Sequence, residues 1–334
     1  MRPSIQIRLF LTIAATTLLA GCEKENTENN TPVAARITST IEAQSTSTAT
    51  DNLQSPLANT GIPATRAAGT AWAAGDLIGI YASSTEGATS YTNVKYTASA
   101  DGTFTPVNTA GEDNNIYFQD PTSVSFTAYY PHEGTNGILP GTGGTLARTL
   151  TAADQAEALL PRIDYLRADP VSASAAQPEV KFSFRHCMSR ILLNFTEGDG
   201  MTFADQLTYT LSGLRLKGTF NTLDGTAATD PDATASPLED ISVNTTSAQT
   251  STSCLILWPQ LADLATLTVT VDGTSYTTQI AFLPLPGSAT AEKGLAPGYS
   301  YLYNVKVNKT RLTISQPTIQ PWTEGNSQDV DAWN

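Results

Sequence analysis

Three kinds of side chain in this chain could do chemistry, and the first is a thiol. Cys22 closes the run "LAGC", behind the apolar stretch "LFLTIAATTLLA" and the basic residues Arg2 and Arg8. That stretch has secretory length and is too short to span a bilayer. Small residues ahead of a cysteine suit a signal peptidase. A cysteine at the first mature position is the bacterial lipobox pattern, in which the thiol takes a diacylglycerol. Residues 1–21 therefore read as a lipoprotein signal peptide and Cys22 as the lipidated residue, anchoring the chain to the outer membrane. Loss of Arg2 and Arg8 takes the net charge from −13 to −15.

The second is a guanidinium whose chemistry would be done to it. Arg66 lies in "TGIPATRAAGTAW", at the end of a polar stretch of small, Gly- and Pro-containing residues, 44–70. Such a stretch is an exposed loop, and exposed loops of small residues are preferred sites of proteolytic nicking. A cut there ends one piece at Arg66 and starts the next at Ala67.

The third kind, imidazoles and carboxylates, gives no site. His132 and His186 are the only histidines, and no Cys-x-x-Cys or His pair stands at ligand spacing. There is no Gly-x-Ser-x-Gly, no His-Glu-x-x-His and no phosphate-binding Gly loop; "GTGG" at 141–144 lacks the Lys-Ser/Thr that would complete one. His186, beside Arg185 and Arg190 in a strand-like run, reads as structural. The acidic run Asp224, Asp230, Asp232, Glu239 and Asp240 offers oxygen ligands for calcium but not the spacing of a calcium loop, so 222–240 reads as an exposed acidic loop. Cys187 and Cys254 sit in apolar runs; two buried thiols and one disulfide are both open. No enzyme activity, metal or cofactor is expected. With 31 acidic against 18 basic residues, nucleic acid is excluded as a partner.

The elements that must position these residues are strands. Apolar residues alternate with period two in short runs punctuated by Gly, Pro, Asn and Asp, the pattern of an all-β sandwich protein. The runs fall at 35–43, 76–83, 93–99, 102–107, 115–119, 124–131, 178–195, 206–221, 253–260, 267–282, 298–315 and 317–322. Asp272-Gly273 marks a tight hairpin turn. The stretch 151–169 is the best helical candidate, limited by Pro161. "SASAAQP", within 172–184, resembles a linker between two domains. The acidic, apolar-poor segment 22–34 after Cys22 reads as a flexible tether.

Several stretches together, "TRAAGTAWAAGDLIGIY", "SVSFTAYYPH", "VKFSFRHCMSRILLNF", "LSGLRLKGTFN" and a terminal "IQPW", closely resemble the Bacteroidetes fimbrillin-like family of type V pilus subunits. They occur in the family's order over nearly all of the mature chain. The resemblance implies two tandem transthyretin-like β-sandwiches, here 35–178 and 179–334. It also implies surface export as a lipoprotein and, in polymerising members, a protease cut after a basic residue that removes the first strand. On that pattern Arg66 and Ala67 flank the cut, and Ile37, Ile41 and Ala43 belong to the displaced first strand, with Ser39 a weaker fit. Leu312, Ile314, Ile319 and Trp322 form a donor strand within the tail 311–334, in two pieces about Pro317. The partners implied are other pilus subunits, the outer membrane, a surface protease and a host or bacterial receptor. Stalk, tip adhesin, anchor and a non-polymerising surface binding lipoprotein all remain open.

Overall fold

The computed structural model describes residues 32–42, 72–245 and 250–322. Cys22, Ala43, Arg66 and Ala67 lie outside the described residues. The regular structure of the described residues is almost entirely β, as their period-two alternation dictates. In chain order, the strands of three or more residues begin with β1 (Arg36–Ile41), β2 (Leu77–Ser83), β3 (Ser90–Ala98), β4 (Thr103–Pro106), β5 (Val124–Tyr130), β6 (Thr145–Thr149), β7 (Leu166–Ala173) and β8 (Glu179–His186). There follow β9 (Ser189–Glu197), β10 (Gln206–Arg215), β11 (Lys217–Asn221), β12 (Ala227–Thr229), β13 (Ala235–Asn244) and β14 (Thr250–Leu257). The last are β15 (Leu264–Val271), β16 (Thr274–Ala281), β17 (Tyr299–Asn308), β18 (Arg311–Ile314) and β19 (Thr318–Pro321).

In the N-terminal half the hydrogen-bonded ladder closes on itself in the order β8-β1-β4-β3-β2-β5-β7. β1 is the strand that completes this ring, parallel to β8 and antiparallel to β4. Inside it lie Ile37, Ile78, Ile80, Phe104, Phe126, Val180, Phe182 and Phe184. The C-terminal half stacks two sheets, β14-β9-β17-β18 and β13-β10-β15-β16, around Ile191, Leu193, Phe195, Tyr209, Leu267, Tyr301 and Tyr303. The Asp272-Gly273 turn is formed as the sequence demands, with φ of 48° and 74°, the left-handed pair of a primed turn.

Three sequence expectations are corrected. The helix over 151–169 is two 3-10 turns, Ala153–Gln155 and Glu157–Arg162, because Pro161 removes a donor. From Leu166 onward the chain is strand, with Leu166 and Ala168 fully buried. The linker within 172–184 is the turn of the β7–β8 hairpin, closed by a Ser174–Gln177 bridge, so β8 belongs to the N-terminal ring. The crossing into the second half comes at Cys187-Met188, inside the run 178–195. The acidic stretch 222–240 is exposed at Asp224, Asp232, Glu239 and Asp240, but it is not all loop: 227–229 form β12 and 235–240 the start of β13. A register shift between Leu238 and Ile241 sets them three residues apart where Ile241 and Val243 are two apart, and that irregularity hides the strand from a period-two reading.

The halves are joined by more than their chain crossing. β6 leaves the N-terminal half to pair with β11, which also pairs with β12, in a three-stranded sheet beside the two stacked ones. Tyr165 stacks on Phe220 at 4.6 Å between centroids, and the Gln155 side chain bonds both the N–H and the C=O of Ile256.

One consequence concerns pH. His132 follows the end of β5, its ring stacked beside Tyr129 and its Nε2 buried without a hydrogen-bond partner among the described residues. Burial, with a smaller push from Lys95, lowers its pKa from 6.5 to about 4. The unfolded chain therefore takes up this proton below about pH 6.5 while the folded chain does not until about pH 4. Stability contributed by the neutral imidazole is complete above pH 6.5 and lost as pH falls to 4. Because the ring is partly exposed, the loss is about 1–2 kcal/mol, less than the full shift would give. Urea unfolding at pH 7 and pH 4.5 measures it, and His132→Gln is expected to flatten that part of the profile.

Candidate functional site: the first strand and the C-terminal tail

β1 forms because Ala35, Ile37 and Ile41 alternate inward, exposed by only 7%, 3% and 5%. Its backbone is held unequally. Toward β8 the register runs over six residues, from Arg36 against Glu179 to Ile41 against Phe184. Arg36 N–H donates to Pro178 O and Glu42 N–H to Phe184 O, at 2.9 and 2.7 Å. Toward β4 only Ile37 against Phe104 and Thr38 against Thr103 are paired, with Ser39 N–H donating to Gly102 O at 2.9 Å. The Arg36–Glu179 ion pair, 2.7 Å, is exposed and adds little. Ser39 is the inward position that does not fit: its Oγ is buried with no partner among the described residues. A buried hydroxyl left unbonded costs about 1–3 kcal/mol. Beside the strand lies Trp72, whose ring meets Phe104 at 5.2 Å and Phe184 at 5.1 Å, the pairing partners of Ile37 and Ile41.

The residues assigned to a donor strand have a place in their own sheet. β18 pairs with one end of β17 and β19 with the other, on either side of Pro317. Leu312 is buried, Ile314 and Ile319 are half-buried, and Trp322 is 1% exposed. The Trp322 ring lies flat on the His186 ring, centroids 4.0 Å apart and planes 1° apart. The Arg190 guanidinium sits 4.7 Å from the centre of the same indole, and the Trp322 N–H of the main chain donates to Gly298 O. His186 is fixed by Asp164, Nδ1 to Oδ1 at 3.0 Å. Complete burial raises the Asp164 pKa above the usual carboxylate value, opposed by the charges of His186 and Arg190. His186 thus packs between Asp164 and Trp322 of the tail.

His186 ends β8, the same strand that flanks β1. The first strand and the tail are thus both docked on β8, which the separate sequence signals for the two did not disclose. Asp164 and Trp72 were not singled out by the sequence, and Arg190 only as a neighbour of His186. A buried acid opposite a strand-end histidine is visible only once β7 and β8 are paired. Cys187 and Cys254 carry free thiols, which burial pushes up to about 12 and about 11. Asp230, considered for calcium, is ion-paired to Lys217 at 2.7 Å, and no group of three or more metal-ligating side chains occurs among the described residues.

Residues 65–322 match the model of the fimbrillin-like family. The chain belongs to the fimbrillin-like family. The match begins one residue before Arg66 and ends on Trp322, so β1 stands outside it. Fim1C of Bacteroides uniformis, named as a candidate fimbrium subunit, is 28% identical over 95% of this chain and 95% of its own length. The crystal structure of a candidate cell adhesion protein from Bacteroides ovatus superposes with a TM-score of 0.72 at 29% identity, covering 89% of this chain and 100% of that one. A second, from Bacteroides uniformis, gives a TM-score of 0.59 at 24% identity over 87% of this chain and 99% of that one, and shows the shared fold. This fimbrillin-like chain is a structural or adhesive protein rather than an enzyme.

Proposed function

We propose that this fimbrillin-like protein is a subunit of a cell-surface pilus, made as a lipoprotein precursor lipidated on Cys22. Proteolysis after Arg66 releases β1, and the vacated groove receives a strand from another subunit. One observation carries the reading. β1 completes the N-terminal ring, yet its covalent connection to the rest of that ring runs only through residues 42–76, and Arg66 lies in that stretch. Its loss leaves unpaired main-chain groups on β8 and β4 beside Phe104, Phe182 and Phe184, a template for strand addition.

A second reading, a subunit that keeps its tail home as an anchor, tip or non-polymerising binding lipoprotein, is favoured by one fact: Leu312 and Trp322 are already buried in their own sheet. The test separates the two. The purified precursor is treated with an Arg-specific protease, as the full chain and as a chain ending at Trp322. Deleting all of 311–334 would remove two buried side chains and unfold the sheet, so the shorter deletion is used. SDS-resistant ladders from the full chain alone assign donation to 323–334. Ladders from both assign it to 311–322, which must then leave β17. Clean cleavage at Arg66 without ladders from either supports the non-polymerising subunit.

A further inference from the structure

Three buried side-chain polar atoms without a hydrogen-bond partner among the described residues border β1. They are Ser39 Oγ on the strand, Ser183 Oγ on the residue opposite Thr40, and Trp72 Nε1. Ser39 interrupts an otherwise apolar inward row of Ala35, Ile37 and Ile41, next to Phe182 in the register. Strand interiors that face a core favour β-branched apolar residues, and a hydroxyl withdrawn from water without a bond is penalised. The strand that closes the ring is therefore a poor occupant of its own groove at one defined position.

One condition lets such a strand persist. While the chain is intact, β1 is tethered through the segment that follows it, and a tether converts binding into an intramolecular event with a high effective concentration. Cutting after Arg66 abolishes that advantage, and affinity alone then decides which strand occupies the groove.

We propose that the Ser39 position is the specificity determinant of this groove. The groove selects an extended segment of a second subunit that places an apolar residue where Ser39 stands, between two apolar residues matching Ile37 and Ile41. The incoming segment runs parallel to β8, as β1 does, and displaces β1 only after cleavage. This rests on the strand-exchange reading and adds to it the residue that makes the exchange run one way.

The test uses the full-length precursor cleaved after Arg66 and freed of the N-terminal fragment. Fluorescent peptides of residues 33–42 are titrated in, with the natural sequence, with Ser39→Ala and with Ser39→Val. The alanine peptide, which removes the hydroxyl without adding volume, is expected to bind several-fold tighter than the natural one, and the valine peptide about tenfold tighter. Both variants binding no tighter than the natural peptide would overturn the proposal while leaving strand exchange standing. Failure of all three to bind would overturn strand exchange at this groove, and the proposal with it.

Discussion

Trp322→Ala is expected to lower the stability of the folded chain by about 3–5 kcal/mol, the range for truncating a buried aromatic side chain. The indole is 1% exposed and stacked flat on His186 at 4.0 Å, so its removal leaves a cavity and an imidazole–carboxylate pair without its lid. The neighbouring Arg190 loses the aromatic face 4.7 Å from its guanidinium. At about 2–4 °C per kcal/mol for a chain of this size class, the midpoint of thermal unfolding should fall by about 10 °C. Ile319→Ala, a half-buried position on β19, is the control and is expected to cost about 1 kcal/mol. Equal losses for the two variants would mean that the stack contributes nothing beyond ordinary apolar contact. Selective fast hydrogen exchange over β19 in the Trp322 variant would place the effect in the tail.

The second large effect is expected from β1 itself. Excision of residues 22–66 exposes the surfaces that Ile37 and Ile41 cover and leaves β8 and β4 unpaired on one side. At about 1.5–3 kcal/mol for each buried aliphatic side chain, with the ladder bonds in addition, the loss is on the order of 5 kcal/mol. Amides of residues 179–184 and 103–104 should lose protection from hydrogen exchange, while β10 and β15, in the other core, should keep theirs. Uniform loss of protection across both cores would instead make β1 a keystone of the whole fold, incompatible with its release during assembly.

Much of this architecture was legible in the residues. Period-two runs place fifteen of the nineteen strands, missing β6, β7, β12 and β13, and Asp272-Gly273 marks its turn from two residue types alone. Legibility ended where the pattern was locally broken or a contact was remote. β13 is irregular because its register shifts, and β6 is short and partly exposed, so neither shows a clean alternation. The run 178–195 looks like one continuous strand, yet it is two strands in two sheets, because Cys187-Met188 carries the chain from one core to the other. For the site, Ile37 and Ile41 were readable as inward residues of a first strand, and Ser39 as their weak neighbour. Leu312 and Ile314 were readable as an alternating apolar pair, with Ile319 and Trp322 as apolar residues beyond Pro317. Which sheet they join was not, since a strand that completes its own fold and one offered to a neighbour carry the same alternation. The Asp164–His186–Trp322 stack joins residues distant in sequence and leaves no local signature.

On the proposed function, β1 is removed before the subunit joins another. That order is read from the N-terminal residue of the SDS-resistant oligomer taken from the cell surface, by mass spectrometry. Oligomers whose subunits begin at Ala67, with no peptide from residues 22–66, are the predicted result. Oligomers whose subunits retain a lipidated Cys22 and an intact 33–42 segment would contradict it.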